Sequence, residues 1–241
     1  MPDNVRVSFD KVDVVFGGFK ALDNLQMDLR SGQVTGLVGP NGAGKTTIIN
    51  AVCGLRPPDS GRIYFDNRRV DGRPAWAMAR MGLVRTFQEL RLYDRLTVRQ
   101  NVEAVSERKH ARRKTRKQAV DTLLEKFQLA DVADRHSAEI SYAEAKRLSL
   151  ARALAAEPQV LFLDEPASGL DEDALTALIG LLRELRDQDT TVIIVEHNLE
   201  VIRRTSDIVM FLANGSLVAE GPPDEIFSRE ELSDLYFGKR R

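Results

Sequence analysis

Apolar and polar residues alternate over the first part of the chain with the period of two expected of half-buried strands. Val5-Arg-Val-Ser-Phe9 is one such stretch and Val12-Asp-Val-Val-Phe16 follows it, ending at the turn pair Gly17-Gly18. Ala21 to Leu29 alternates again through Leu25, Met27 and Leu29, and Ser31-Gly32 closes a hairpin-like turn. Val34-Thr-Gly-Leu-Val38 is apolar-rich, and Thr46 to about Gly54 predicts a short helix ended by glycine. Pro57-Pro58-Asp59-Ser60-Gly61 reads as a loop, and Arg62-Ile-Tyr-Phe65 as a strand ending in Asp66-Asn67.

From about Pro74 to Ser137 strand signals thin out and helical spacing takes over, in Val98, Val102 and Val105 and then in Val120, Leu123, Leu124 and Phe127. Thr97 is the expected N-cap of the first of these helices. The pattern predicts a helical subdomain from Arg91 to about Arg152, inserted into an α/β core. Beyond it, Val160-Leu-Phe-Leu163 and Thr191-Val-Ile-Ile-Val195 are continuous apolar runs, as buried parallel strands are. Between them Leu170 to Asp187 carries Leu175, Leu178, Leu182 and Leu185 on one helical face. A helix from Leu199 to about Thr205 follows, and a terminal hairpin turns at Asn214-Gly215 between Ile208–Leu212 and Leu217–Ala219.

Composition adds exclusions. The formal net charge is −1, with 35 basic against 36 acidic residues, so no global field points to nucleic acid or an anionic surface. The single cysteine, Cys53, rules out an intrachain disulfide framework and fits a buried apolar position. Met1-Pro-Asp-Asn-Val-Arg-Val has no basic-then-apolar leader pattern, and no apolar run nears the roughly 18–20 residues that span a bilayer. Any membrane part of the process is expected on another chain. One local exception to charge balance is the basic run from Arg108 to Lys117, readable as a solvated helix face or as a contact for lipid head groups or a partner.

The chemistry begins at Gly39-Pro40-Asn41-Gly42-Ala43-Gly44-Lys45-Thr46-Thr47, which fits the phosphate-binding pattern G-x-x-x-x-G-K-[ST] between a strand and a helix. Glycines let successive backbone N–H groups turn inward to phosphate oxygens, and the helix that follows presents its positive end to the same anion. Lys45 adds a full charge for the β- and γ-phosphates, and the Thr46 hydroxyl is a ligand for Mg²⁺. A bound nucleoside triphosphate follows. At the end of the later apolar run stand Asp164 and Glu165, where parallel sheets bind ligands. Asp164 is placed to hold Mg²⁺ opposite Thr46, and Glu165 to act as general base on the attacking water. His197, after the next strand, is readable either as a structural strand-end histidine or as a contact for the γ-phosphate, and the second reading leans on the family resemblance that follows.

Together the phosphate loop, Asp164-Glu165-Pro166, Ser168-Gly-Leu-Asp171 and His197 resemble the ATP-binding cassette (ABC) ATPases over essentially the whole chain. The resemblance implies the ABC ATPase fold: an α/β protein with a P-loop NTPase core, an antiparallel β subdomain and an inserted helical subdomain. It implies one domain over 1–241, with about 1–90 and 153–241 as core and about 91–152 as the helical part. It also implies that Phe16 stacks on adenine, that Gln88 senses nucleotide beside the metal and contacts the transporter, and that the loop ending at Asp171 crosses to a second subunit. ATP and Mg²⁺ are the implied cofactors. The implied partners are transmembrane permease subunits, a second cassette (the same chain or another) and, indirectly, a substrate-binding protein, with no nucleic acid. The implied location is peripheral, on the cytoplasmic face of the plasma membrane.

Within the family, Gly82-Leu-Val-Arg-Thr-Phe-Gln88, Val195-Glu-His197-Asn-Leu-Glu and Tyr236-Phe-Gly238 look most like ATPases of branched-chain amino acid importers. One motif departs. The family's Leu-Ser-Gly-Gly-Gln signature, which caps a γ-phosphate held by the partner, aligns with Ile140-Ser141-Tyr142-Ala143-Glu144. Ser141 is kept, but two glycines are lost and Glu144 places a carboxylate where phosphate would repel it. Ser141-x-x-Glu144 is also a capping box, so a weakened signature and a purely structural cap both account for the serine. Alternatives to a transport ATPase are an ABC protein acting on nucleic acid or ribosomes and an ATP-binding regulatory subunit with weak hydrolysis.

Overall fold

The computed structural model describes residues 4–86, 90–106 and 113–232. They fall into two compact units, Met1–Leu83 with Gln159–Arg241, and Val84–Pro158.

The first unit contains two sheets. In the antiparallel one, β1 (Val5–Phe16) pairs with β2 (Phe19–Arg30) and with β4 (Ser60–Phe65), which pairs in turn with β5 (Arg68–Arg69). The two stretches Val5–Phe9 and Val12–Phe16 are one strand. A register shift between Phe9 and Val12, with Lys11 at φ 52°, moves the buried set from Val7 and Phe9 to Val12 and Val14. Such a bulge changes the phase of the alternation without ending the pairing.

The second sheet has the order β10-β9-β3-β8-β7-β6, with β3 (Val34–Val38), β6 (Leu83–Arg85), β7 (Val160–Asp164), β8 (Thr191–Val195), β9 (Ile208–Ala213) and β10 (Ser216–Gly221). β3 lies parallel to β8 and β9, and β7 parallel to β8, while β10 returns antiparallel to β9. The Ser31-Gly32 turn therefore joins two sheets rather than two strands of a hairpin. All five residues of β3 and of β8 are buried, as strands covered on both faces must be. On β3, a Cβ at Gly36 would lie 2.8 Å from Ile202 Cγ2 and Ser206 Oγ, so glycine lets α7 (Leu199–Thr205) pack close.

One apolar cluster joins the sheets through α1 (Lys45–Val52). Val7, Phe9, Leu25 and Ile63 from the antiparallel sheet meet Ile48, Ile49 and Val52, with Leu37, Phe162 and Ile193 from the parallel one. Cys53 is buried in the same core. The remaining helices of this unit are α2 (Ala75–Arg80), α6 (Glu172–Asp187) and α8 (Pro223–Phe227). The helix expected from Leu170 begins at Glu172 instead, because the Asp171 carboxylate caps it by accepting the Ala174 N–H at 2.8 Å.

The second unit is built from α3 (Val98–Ser106), α4 (Arg113–Lys126) and α5 (Tyr142–Ala155). Val98, Val102, Val120, Leu124, Phe127 and Leu148 are buried in it. Thr97 Oγ1 accepts the Gln100 N–H while Gln100 Oε1 accepts the Thr97 N–H, so α3 starts as expected. The fully buried Asn101 ties down the approach to α3, donating to the Tyr93 and Thr97 carbonyls and accepting the Tyr93 N–H. Among the described residues no helix is long and apolar enough to cross a membrane.

Candidate functional site

The loop from Gly39 to Gly44 leaves the buried strand β3 and ends as the N-cap of α1. Its three glycines have φ of 150°, 80° and 105° at Gly39, Gly42 and Gly44. Two of them answer to the protein rather than to a ligand. A Cβ at Gly39 would meet the Leu212 carbonyl oxygen at 2.2 Å, and one at Gly44 the Ala21 carbonyl oxygen at 2.7 Å. At Gly42 nothing lies within 4 Å, so the cradle is open there and only the backbone angle favours glycine. The turn between β9 and β10 braces the loop through a bond from Gly215 N–H to the Ala43 carbonyl, 3.1 Å long. Ala43 is buried, Pro40 and Thr47 are half-buried, and Asn41 and Thr46 are exposed.

Lys45 is 8% exposed. Its Nζ donates to the carbonyls of Gly39 at 2.6 Å and Pro40 at 3.0 Å. Burial pushes its pKa down, against the raising pull of Asp164 and Glu165. A phosphate taking this ammonium replaces two neutral carbonyl acceptors with a charged one, a stronger hydrogen bond.

The carboxylates reach the same end of the sheet by register. Leu37 of β3 and Asp164 of β7 both lie opposite Val195 of β8, so the three strands finish side by side. Parallel strands bind ligands at this end. Glu165 follows with φ 50°, its N–H held by the Val195 carbonyl at 2.9 Å. His197 Nε2 lies 3.1 Å from Glu165 Oε1, with the imidazole about half exposed and the carboxylate 22% exposed. Thr46 and Asp164 offer a hydroxyl and a carboxylate, hard oxygen donors of the kind Mg²⁺ takes together with substrate phosphates.

Phe16, at the end of β1, is 49% exposed, and the Arg56 guanidinium lies 5.3 Å from its ring centroid. Arg56 also donates to the Val15 carbonyl at 3.0 Å and to Asp59 at 2.8 Å, while Asp59 accepts the Val15 N–H. The strand end is thereby fixed beneath the ring. Arg56 and Asp59 stand in no motif, so nothing in the sequence marks this contact. Glu196 is buried between Val195 and His197 and accepts the Ala167 N–H at 2.7 Å, a role that its residue type does not announce.

Ser141 belongs to the second unit. It is the N-cap of α5 in a complete capping box, in which its Oγ accepts the Glu144 N–H. Glu144 Oε2 accepts both the Ser141 N–H and the Ser141 hydroxyl proton at 2.7 Å. Those two bonds, the hydroxyl's first, hold the Glu144 carboxyl below the usual carboxylate range. Tyr142 is 61% exposed. Gln88, residues 108–112 of the basic run and Tyr236-Phe-Gly238 lie outside the described residues.

A phosphate loop at the head of α1, facing two carboxylates and a histidine at the ends of β7 and β8, defines a nucleoside-triphosphate-hydrolysing α/β protein. The ABC transporter family model matches residues 22–168, more than half of the chain. The ATP-binding protein LivG of high-affinity branched-chain amino acid transport in Salmonella typhimurium is 34% identical over 240 residues, covering 93% of this chain and 94% of that protein. LptB, the ATP-binding protein of the lipopolysaccharide export system of Escherichia coli, is 32% identical, covering 93% of each. The crystal structure of an ATP-binding cassette of an ABC transporter in its ADP conformation superimposes with a TM-score of 0.84 at 28% identity, over 98% of this chain and 99% of that one. This chain belongs to the ABC transporter family. It is an ATP-binding, ATP-hydrolysing subunit with the ABC ATPase fold, and ATP and Mg²⁺ are its cofactors.

Proposed function

We propose that this chain powers an importer of branched-chain amino acids or related small polar solutes. In this reading 1–241 is one ABC ATPase domain, about 91–152 forming its helical part. It works at the cytoplasmic face of the plasma membrane as one of two cassettes that close around ATP and drive transmembrane permease subunits, which a substrate-binding protein loads. The observation that carries the catalytic half is the 3.1 Å approach of His197 to Glu165 at the strand ends that Lys45 also faces.

The loop N–H groups from Gly39 to Thr47 cradle the phosphates, and Lys45 exchanges its two carbonyl acceptors for phosphate oxygens. Thr46, Asp164 and Gln88 would hold Mg²⁺, which would supply positive charge to offset that of the bound phosphates. Glu165 polarises the attacking water and accepts its proton, and His197 orients that carboxylate and contacts the γ-phosphate. Phe16, backed by Arg56, stacks on adenine. Ser141 and Asp171 act across the dimer on the partner's nucleotide.

The capping box favours one refinement. With the Ser141 hydroxyl proton committed to Glu144, this chain contributes a weak signature, so its efficient form is a pair with a different cassette bearing an intact one. The choice of cargo is supported by LivG and by BraF of Pseudomonas aeruginosa, also a branched-chain amino acid transport protein, 32% identical over 93% of this chain. The test is uptake. A strain carrying Lys45→Ala in this chain should lose uptake of radiolabelled leucine, isoleucine and valine. Undiminished uptake of all three would overturn the cargo assignment.

A further inference from the structure

We infer that Glu196 is a positioning residue for hydrolysis, pinning the turn Glu165–Ala167 so that the Glu165 carboxylate is held in its working pose. Three consecutive residues at the end of β8 each grip that turn. The Val195 carbonyl accepts the Glu165 N–H at 2.9 Å, Glu196 Oε1 accepts the Ala167 N–H at 2.7 Å, and His197 Nε2 lies 3.1 Å from Glu165 Oε1. The turn needs such a grip. Glu165 sits at φ 50°, a backbone region that a residue with a Cβ occupies only where its surroundings over-determine it.

Of the three grips, that of Glu196 is the buried side-chain one. The residue is 5% exposed, so little water is at hand to take over the Ala167 N–H if the glutamate oxygen is withdrawn. Ala167 also carries the next stretch: its carbonyl accepts the Leu170 N–H at 3.1 Å, and the Glu165 carbonyl accepts that of Ser168 at 3.3 Å. One carboxylate thus fixes both the residue that meets water and the start of the loop ending at Asp171. Neither residue type nor charge alone explains the geometry; the reach of the glutamate does, since it spans from one strand end to the turn beyond its neighbour.

The inference rests on the reading of Glu165 as general base, and the experiment separates the two. The full-length protein is compared with its variants Glu196→Asp, Glu196→Gln, Glu165→Gln and Glu165→Gln/Glu196→Asp by single-turnover and steady-state phosphate release, fluorescent-ATP affinity and thermal melting. Glu196→Asp keeps the charge but withdraws the oxygen by one methylene. It should lower kcat about tenfold, since small misplacements of a reacting group are costly, while leaving ATP affinity within about twofold. Glu196→Gln keeps an oxygen acceptor at the same reach and should restore the rate to within about threefold of wild type. In the Glu165→Gln background, Glu196→Asp should change the residual rate by less than about twofold, because its effect passes through the missing carboxylate. A wild-type rate in Glu196→Asp with a slow Glu165→Gln overturns this inference alone. So does a Glu196→Gln as slow as Glu196→Asp, which would make charge the cause rather than position. A wild-type rate in Glu165→Gln removes the base assignment and this inference with it.

Discussion

The substitution Glu144→Gln isolates one negative charge at the start of α5. Glu144 Oε2 lies 2.7 Å from both the Ser141 amide nitrogen and the Ser141 hydroxyl oxygen. A phosphate oxygen hydrogen-bonded to Ser141 would then sit roughly 5 Å from the carboxylate, a repulsion of about 3 kcal/mol per charge pair at an effective dielectric of about 20. Glu144 is only partly buried, so solvent and salt reduce this to about 1 kcal/mol, or about fivefold in rate. The cap survives the change, because a glutamine oxygen still accepts the Ser141 N–H; the loss of helix stability stays below about 0.5 kcal/mol. The pH dependence has a definite sign. The folded pKa of Glu144 is lowered, so the box contributes fully above the ordinary carboxylate value and fades as pH falls through the lowered one. The rate gain from Glu144→Gln is therefore expected throughout the neutral range. The assay is steady-state phosphate release by the chain alone over a series of protein concentrations, with melting curves as control. Adding Tyr142→Gly and Ala143→Gly should raise the rate further by allowing closer backbone approach. A Glu144→Gln protein no faster than wild type at any concentration, with the same melting curve, would refute the argument and leave the box purely structural.

Two other outcomes follow from the same site. Lys45→Ala should weaken fluorescent-ATP binding by on the order of tenfold or more, because the loop has no second full charge to offer the phosphates; affinity within about twofold of wild type would count against the clamp. Phe16→Ala should weaken ATP by about three- to tenfold while leaving inorganic tripolyphosphate unaffected, as loss of one stacking partner predicts; parallel losses for both ligands would mean that the strand end, not the base contact, had been damaged.

Much of the architecture is written locally. β3, β7 and β8 are legible because strands buried on both faces must be apolar throughout, and the Asn214-Gly215 turn because both residues adopt positive φ. The phosphate loop is equally plain, although its glycines serve partly to pass the backbone of Leu212 and Ala21 rather than a ligand. What stayed hidden depends on long-range pairing. The bulge at Lys11 makes one strand look like two, and β6, three residues long, leaves too short a pattern to see. The turn after β2 looks like a hairpin because the sheet its next strand joins is completed only by β8 and β9, far along the chain. Arg56 over Phe16 and Glu196 on Ala167 join residues about forty and thirty positions apart, with no residue type that announces the contact.

In the mechanism we propose, Glu165, held between the end of β8 and His197, drives ATP hydrolysis on phosphates gripped by Lys45. The most direct measurement of that role is single-turnover hydrolysis of Mg·ATP by Glu165→Gln beside fluorescent-ATP titration of the same sample. Nucleotide affinity should stay unchanged while the rate falls on the order of 10²-fold or more. Hydrolysis by Glu165→Gln at the wild-type rate would contradict that mechanism.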